Sequence, residues 1–506
     1  MFLQEDYRLF QERGITEEQI LKQVQLLKEG TLFQRIVAPA TLERGILKLT
    51  SDAIDHYKNL FEEQISYYQA IKFVPASGAA TRMFKDLYAA IELLQEQKPL
   101  PEKIEQFFIH LSKFAFYRDL KSVMTNPSFD EALDRKEYLP ILEFLLFEKG
   151  LHFGNKPKGL IPFHDYGTFS RTAFEEHLFE GLSYLWRDED PVWFHFTVSP
   201  EHRSTFKTLL KATAEKFGIT QKVKVDFSIQ HPATDTVAIY ENGDIVRDEM
   251  GRIIFRPGGH GALLRNLNSI DADLIFIKNI DNVVPEWYLE ETVLYKKVLG
   301  GYLMSLVEDI HANLVMLDDG NLLEEDLAEM VDFAQKKLFI TFPEWFFHAE
   351  YIEKVDYLYN LFNRPIRVCG VVKNEGQPGG GPFFCENEEG LPVLQIVEQS
   401  QINMNDPEQR KIFESSTHFN PVDIVCYVRD FKGNKFDLEQ FVDPRAGIIT
   451  EKTYKGKPIK VLELPGLWNG SMADWITVFV EVPSTTFNPV KEVFDLLKPM
   501  HQPKHA

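Results

Sequence analysis

The chain has 506 residues, of which 44% are hydrophobic and 26% are charged, and its formal net charge is −21 at pH 7. This length predicts about two or three packed domains, and the ordinary composition excludes a fibrous or broadly disordered protein. Asp and Glu outnumber Lys and Arg by 76 to 55. The overall field therefore repels nucleic acid and anionic membranes, and we expect neither as a partner. An anionic ligand would need a local basic site.

Cysteine usage and the N-terminus indicate a cytoplasmic protein. The three cysteines, Cys369, Cys385 and Cys426, include no C-x-x-C pair and no zinc-like spacing, which fits a reducing compartment. The first residues are acidic and lack the charged-then-apolar pattern of a signal peptide. No apolar run reaches the roughly 20 residues that a membrane helix needs.

Periodicity divides the chain into three parts. Residues 1–70 predict a helical N-terminal region with a capping-box start at Thr16. Residues 71–430 predict an α/β domain, because β-prone runs alternate with helical periodicity, and residues 87–150 predict a helical insertion within it. Residues 431–506 predict a C-terminal α+β part that is rich in strands and ends in a last helix and a disordered basic tail.

A run of small residues marks the first candidate site. It lies between the β-prone stretch Ile71–Val74 and a helical stretch that begins at Met83. Unpaired backbone N–H groups and the helix dipole favour an anion at such a junction, and small side chains let a phosphate approach the backbone. Arg82 adds a permanent positive charge. Gly and Ala at a βα turn are also simply what the turn requires, so this stretch alone does not decide the matter.

Further along the chain, three stretches add polar groups in suitable places. Pro157 fixes the backbone beside Lys158 and would aim that lysine inward. Residues 257–261, Pro-Gly-Gly-His-Gly, form a second glycine-rich strand-to-helix junction. Leu274–Ile280 is a nearly continuous apolar run, typical of a central parallel strand, and ligands bind beyond the carboxyl ends of such strands. Asp281 lies at that point, and its alternative interpretation is a turn or cap aspartate.

Seven motifs occur in this order: Ala76–Arg82, Pro157–Gly159, Pro257–Gly261, Asn279–Asn282, Gly370–Val372, Val397–Glu398 and Phe487–Lys491. Together they resemble the motifs of the sugar nucleotidyltransferases, and most closely those of the UDP-sugar pyrophosphorylases, over about residues 71–497. The third and fourth motifs, about 20 residues apart, are the most specific pair because they flank one βαβ step. The whole chain resembles an uncharacterised bacterial domain-of-unknown-function family related to that group.

The resemblance implies a GT-A-like, Rossmann-type domain that condenses a nucleoside triphosphate, usually UTP, with a sugar 1-phosphate. Nucleotide sugar and pyrophosphate would be the products, and Mg²⁺ the cofactor. By this resemblance the catalytic residues, which contact phosphates, are Arg82, Lys158 and Lys491. The nucleotide-binding residues are Ala76, Ser77, Gly78, Ala79, Ala80, Thr81, Gly259, His260 and Gly261. The sugar-binding residues are Gly370, Glu398 and Asn420, and the metal ligands are Asp281 and Asp423.

The chain departs from the family pattern in two places. Ser77 and Ala80 stand where relatives usually carry glycine, and the Ala80 methyl group could crowd a phosphate. Arg82 and Lys158 are 76 positions apart, whereas relatives place the corresponding segments close together.

Two other functions stay open. A nucleotide-sugar sensor or scaffold that keeps the fold without turnover would fit Ala80 and the long insertion. A GT-A-type glycosyltransferase would need a D-x-D metal motif, and Asp271-Ala272-Asp273 has that spacing but precedes its strand.

Overall fold

The computed structural model describes residues 2–30, 33–125, 128–187, 190–320, 322–376 and 380–504. The helices are α1 Gln4–Arg13, α2 Glu17–Glu29, α3 Ser51–Gln64, α4 Lys85–Gln95, α5 Glu102–Ile109, α6 Tyr117–Val123, α7 Phe129–Asp134, α8 Tyr138–Leu146, α9 Ala173–Leu185, α10 Arg203–Lys216, α11 Leu263–Asn268, α12 Leu289–Asp319, α13 Glu324–Lys337, α14 Glu344–His348, α15 Tyr351–Phe362 and α16 Pro407–Glu414. None of these described helices is long and apolar enough to span a membrane.

The strands are β1 Ile36–Pro39, β2 Ile46–Leu47, β3 Ala70–Pro75, β4 Pro162–Asp165, β5 Ser170–Thr172, β6 Val192–Thr197, β7 Val223–Ser228, β8 Thr236–Tyr240, β9 Phe255–Arg256, β10 Leu274–Lys278, β11 Ile366–Lys373, β12 Gly380–Glu386, β13 Pro392–Glu398, β14 His418–Tyr427, β15 Ile448–Tyr454, β16 Lys457–Glu463 and β17 Ile476–Glu481. Helices and strands alternate along most of the chain. The predicted α/β class is confirmed.

The chain forms two compact units, each built from segments that are distant in sequence. The first unit comprises Met1–Ala70, Gln230–Ile277 and Lys297–Ser484. The second unit comprises Ile71–Ile229, Lys278–Lys296 and Thr485–Ala506.

The first unit contains strands in three arrangements. Strands β2, β17, β11, β14 and β10 neighbour one another in that order, with β2, β17 and β11 parallel and β14 antiparallel to β11. The order β15, β16, β8, β9 and the order β1, β12, β13 are both antiparallel. Helices α1 and α2 pack on the second arrangement, where Phe10, Ile20 and Leu27 join Val237 and Ile239 in one buried cluster.

The second unit is built on the parallel strands β3, β6 and β7, in that order. Its core is aromatic: the ring of Phe174 on α9 lies 4.7 Å from that of Phe196 on β6 and 5.4 Å from that of Phe206 on α10, between centroids. The predicted insertion is helical, with α4 to α8, and its apolar side chains are buried. These are Phe107, Phe108, Leu111, Phe114 and Phe116.

Local signals placed many element ends correctly. Thr16 caps α2 in a complete capping box with Gln19, and the apolar run that predicted a central strand is β10, which is buried along its whole length. The N-terminal region holds the helices α1, α2 and α3, as predicted, and the short strands β1 and β2 as well.

The expectation of a last helix and a disordered tail was wrong for the described part of residues 485–504, which we call the C-terminal segment. It forms 3₁₀ turns over Val493–Leu497 and Pro499–His501. His501 is only 2% exposed. The basic composition suggested a solvated tail, but this buried histidine anchors the segment.

Candidate functional site

The phosphate-loop candidate lies at the carboxyl end of β3 in the second unit. Ser77, Gly78 and Ala79 are exposed, and a 3₁₀ turn over Ala80–Arg82 precedes α4. The Ala76 amide donates to Thr197 O at 2.8 Å. Strand, small-residue loop and helix therefore follow in the predicted order, and of the loop residues only Ala76 and Ala80 are buried.

The Pro-Lys segment pairs directly with this loop. Ala80 N donates to Lys156 O at 3.0 Å and Lys158 N donates to Gly78 O at 3.2 Å. Pro157, with φ −69° and ψ 151°, lies between these two bonds. Although the insertion separates the two motifs in sequence, the fold brings them together, and the Lys158 side chain points inward with 14% exposure.

Two further motifs meet at the Lys158 side chain. Its Nζ lies 2.6 Å from Asp281 Oδ2 and donates to Val490 O at 2.7 Å. Val490 N donates in turn to Asp281 O at 3.0 Å, and Asn488 N donates to Asn282 Oδ1 at 2.9 Å. The loop, the Pro-Lys segment, the segment after β10 and the C-terminal segment thus converge within the second unit.

A buried charge cluster supports the segment that follows β10. Lys72 Nζ and Lys278 Nζ bind the two carboxylate oxygens of Glu180, at 3.0 and 2.8 Å. Burial lowers the pKa of Lys72 to about 7 against the attraction of Glu180. Burial acts to raise the pKa of Glu180, but nearby positive charge, chiefly Lys278 and Lys72, outweighs it and lowers that pKa. His177 Nε2 lies 3.1 Å from Ile280 O, which fixes the backbone immediately before the aspartate described above.

The first unit gathers a separate polar group around His260. The His260 ring stacks on Trp468 with centroids 4.6 Å apart and 18° between planes. Leu467 N donates to His260 Nδ1 at 3.1 Å, which places the ring proton on Nε2, 3.9 Å from Glu398 Oε1. Burial lowers the pKa of His260 and Glu398 opposes that shift. Asn469 Nδ2 donates to the same Glu398 oxygen at 3.1 Å.

Packing explains two of the motif glycines. Gly259 has φ +76°, a conformation that L side chains rarely adopt. At Gly261 an added Cβ would lie 2.1 Å from Pro465 O, which is closer than any real contact. Both glycines are therefore required by the local backbone whether or not a nucleoside binds there.

The remaining predicted residues of the first unit lie together on β11 and β14. Gly370 pairs with Asp423 in the antiparallel ladder, and Asn420 Nδ2 lies 3.4 Å from Gly370 O. Asn420 and Asp423 are 3% and 4% exposed, so both are part of the buried sheet.

The described residues contain no group of three or more His, Cys, Asp or Glu side chains that could hold a metal ion. Asp281 offers one carboxylate, beside Lys158. Mg²⁺ is usually held by one or two carboxylates, with substrate phosphates and water completing its octahedron. The donor set thus fits an ion that arrives with a phosphate ligand, and it does not form a protein cage.

The family model described as Domain of unknown function (DUF4301) matches residues 3–502. The chain belongs to this family. The expectation of a domain-of-unknown-function family is confirmed, and none of the curated proteins compared with the chain matches it.

Several solved structures are similar to this DUF4301 chain. A UDP-glucose pyrophosphorylase mutant from Leishmania major, in complex with UDP-glucose, matches with a TM-score of 0.45 and 13% identity over 98% of this chain and 78% of that chain. The uridine diphosphate N-acetylglucosamine pyrophosphorylase from Trypanosoma brucei matches with a TM-score of 0.48 and 13% identity over 95% of this chain and 75% of that chain. A UDP-glucose phosphorylase from Trypanosoma brucei matches with a TM-score of 0.45 and 14% identity over 98% and 80%.

Sequence reasoning missed several residues of both groups in this DUF4301 chain. In the second unit these are Asn282, Asn488 and Val490, which lie within the motifs Asn279–Asn282 and Phe487–Lys491 but had no predicted role. Val490 acts through its backbone carbonyl, which no side-chain pattern reveals. In the first unit they are Trp468 and Asn469. The sequence Gly-Leu-Trp-Asn-Gly over residues 466–470, an aromatic and an amide between glycines in a loop, was the available signal.

Proposed function

We propose that the chain is a nucleotidyltransferase that condenses a nucleoside triphosphate, UTP in the first instance, with a sugar 1-phosphate. The observation that carries this proposal is the convergence in the second unit. The four motifs that resemble triphosphate-handling segments of UDP-sugar pyrophosphorylases meet around Lys158 and Asp281, with contacts of 2.6 to 3.2 Å.

In the proposed reaction a phosphate oxygen of the sugar 1-phosphate attacks the α-phosphorus of the triphosphate. The bond from that phosphorus to the oxygen bridging the α- and β-phosphates breaks, and pyrophosphate leaves with the electron pair. The attacking oxygen is already anionic, so no general base is required. The protein positions two anions and stabilises charge that develops between them.

The basic side chains of the second unit suit this task. Lys158, half-buried beside the loop, would bind phosphate oxygens on leaving Asp281. Arg82 and Lys491 are both exposed and would approach the phosphates from the loop and from the C-terminal segment. The exposed backbone of Ser77–Ala79 would allow close approach, and an added Cβ at Gly78 would meet nothing within 4 Å.

Asp281 would hold Mg²⁺ together with phosphate oxygens and water. When bound, the ion would neutralise part of the triphosphate charge. We keep Asp423 as a second proposed ligand by resemblance only.

For the first unit we propose that Gly259, His260 and Gly261 contact the nucleoside, since the His260–Trp468 stack offers the flat surface that a base packs on. Glu398, oriented by the side-chain amide of Asn469, would accept hydrogen bonds from sugar hydroxyls. By resemblance, Gly370 and Asn420 are the other proposed sugar-binding residues.

The D-x-D sequence that would support a glycosyltransferase is occupied by an ion pair. Arg429 binds both aspartates of the D-x-D sequence, Asp271 at 2.6 Å and Asp273 at 2.5 Å. Their charges serve this ion pair.

The sensor alternative keeps one observation in its favour. Ala80 is fully buried and its amide is bonded to Lys156 O, so it does not face a phosphate. A loop with this amide occupied would bind ligand with fewer contacts than its relatives do.

The test is pyrophosphate release with a panel of nucleoside triphosphates, pooled sugar 1-phosphates and Mg²⁺. We expect turnover with wild type that is lost in Asp281→Ala. Absence of turnover, with nucleotide still raising the melting temperature, would contradict transferase activity and favour the sensor.

A further inference from the structure

The C-terminal segment contacts the phosphate-site candidate through backbone groups. The amides of Asn488 and Val490 bind the segment after β10, and the Val490 carbonyl accepts from Lys158. The described elements of the segment are 3₁₀ turns, which are short and have poorer hydrogen-bond geometry than an α-helix. Buried Val493 and Leu496 hold the middle of the segment, and its far end supplies a further anchor.

That far end is held at His501. His501 Nδ1 lies 2.9 Å from His164 Nε2, and the ring centroids are 5.2 Å apart with 14° between planes, so the two rings meet edge to edge and are nearly coplanar. The next residue, Gln502, donates to Leu496 O at 2.6 Å and accepts from Trp287 Nε1 at 3.2 Å.

His164 is fixed from its other side by buried charged and polar groups. Its Nδ1 lies 2.8 Å from Glu176 Oε1, and Tyr166 OH donates to the same oxygen at 2.9 Å. Arg171 Nη1 lies 3.7 Å from the second Glu176 oxygen and 2.9 Å from Glu286 Oε1. Three neighbouring elements, β4, β5 and α9, thus orient the ring that receives the C-terminal segment.

The ring-to-ring hydrogen bond pairs one N–H with one lone pair, so one of the two facing ring nitrogens must be unprotonated. Burial, with Arg171 nearby, lowers the pKa of His164 to about 3. Burial and His164 lower the pKa of His501 to about 3, while Asp495 and a hydrogen bond to the backbone of Asn488 oppose that shift. Buried polar rings cost desolvation free energy unless they are paired, so the pair selects one docked position in a way that apolar packing would not.

We propose that His501 is a positioning residue: its hydrogen bond to His164 docks the C-terminal segment, which holds the Val490 carbonyl on Lys158 and the Asn488 amide on Asn282. The docking is a structural statement about this chain, and its catalytic consequence rests on the proposed function. An undocked segment leaves the Lys158 ammonium without one of its two acceptors, so the lysine loses its fixed position at the phosphates.

Hydrogen exchange of wild type and His501→Phe tests the docking. Phe keeps a ring for packing and removes the ring nitrogens. We expect the amides of Asn488, Val490 and Val493, which have protein acceptors, to exchange at least about tenfold faster, while those of β6 stay unchanged. Equal protection of the C-terminal segment in both proteins would overturn the proposal.

Three further variants sharpen this test. His501→Asn returns an amide, which can donate or accept, near the position of Nδ1 and should restore protection. His348→Phe, an exposed histidine of the first unit, is the matched control and should change nothing. Gln502→Ala removes the side-chain hydrogen bond to Leu496 O without opening the core, and it should also speed exchange. It serves as the second variant if His501→Phe fails to fold.

The kinetic arm measures kcat/KM for pyrophosphate release. We expect about a 10- to 100-fold loss in His501→Phe, by analogy with other supporting hydrogen bonds, and recovery in His501→Asn. Faster exchange with unchanged kcat/KM would overturn the positioning role. If wild type releases no pyrophosphate, the proposed function fails, and the exchange measurement alone decides whether His501 docks the segment.

Discussion

At the scale of single residues, the Lys158 side chain is where the four converging segments of the second unit meet. Its ammonium contacts Asp281 and the carbonyl of Val490, and Ala80 binds the backbone two residues before it. A charge held this way can shift from a protein carboxylate to a ligand phosphate over a short distance. The proposed function therefore depends more on Lys158 than on any other side chain.

Lys158→Gln should lower kcat/KM for pyrophosphate release by about 10² to 10³, the usual cost of losing one charge-stabilising group. The amide keeps most of the length and removes the charge. Steady-state assays of this variant beside Lys121→Gln, an exposed lysine of the insertion, check the prediction. Similar losses in both variants, or none in Lys158→Gln, would contradict the assigned role.

Substitutions at Gly78 and Gly261 distinguish a glycine needed for ligand contact from one needed for packing. At Gly78 an added Cβ meets nothing within 4 Å, whereas at Gly261 it would lie 2.1 Å from Pro465 O. Gly78→Ala should leave the melting temperature within a few degrees of wild type and lower triphosphate affinity, because the methyl group obstructs the exposed loop. Gly261→Ala should lower the melting temperature itself. A stability loss at Gly78 would show that its role is structural.

At the scale of elements, the buried cluster of Lys72, Glu180 and Lys278 ties β3, α9 and the end of β10 together. Glu180→Gln leaves two lysines without their shared carboxylate and should cost about 3 to 5 kcal/mol of unfolding free energy. Lys72→Met leaves the Glu180–Lys278 pair intact and should change that free energy by less than about 1.5 kcal/mol. Denaturant unfolding of both variants measures the two changes in unfolding free energy. Equal changes would contradict the prediction.

The buried network that joins β4, α9 and the C-terminal segment predicts a pH effect. Burial raises the pKa of Glu176 to about 8, above its ordinary 4.5. The folded protein therefore binds a proton that the unfolded chain does not, and the stability linked to this group is present below pH 4.5 and lost as pH rises toward 8.

Glu176→Gln mimics the protonated carboxyl and lacks this dependence. From pH 6.5 to 8, the unfolding free energy of wild type should fall relative to that of the variant by about 1 to 2 kcal/mol. Other titrating groups, including Lys72, occur in both proteins and cancel. Glu201→Gln, at an exposed position, should differ from wild type by a constant amount. A constant difference for Glu176→Gln as well would contradict the raised pKa.

At the scale of the whole molecule, the sequence predicted what depends on neighbours in the chain. The buried run before Asp281, the capping box at Thr16 and the helical insertion all follow from periodicity and caps, which are local. The sequence does not predict contacts between residues that are far apart in the chain. Lys158 and Val490 are 332 positions apart, and no composition rule joins them.

Two local patterns show how distant partners determine structure. A basic composition suggested a solvated tail, yet His501 is buried against His164, 337 positions away. Asp271-Ala272-Asp273 has D-x-D spacing but precedes its strand, and Arg429, 158 positions after Asp271, binds both aspartates. In each case the local pattern was read correctly and a distant partner decided its meaning.

The central claim is transfer of a nucleotidyl group, and the fate of labelled phosphate tests it most directly. With UTP labelled at the α-phosphate, and separately at the γ-phosphate, we predict that the α-label appears in a nucleotide sugar and the γ-label in pyrophosphate, both abolished by Asp281→Ala. Label from the γ-position in a sugar phosphate or in inorganic phosphate would indicate a kinase or a hydrolase and would contradict the account.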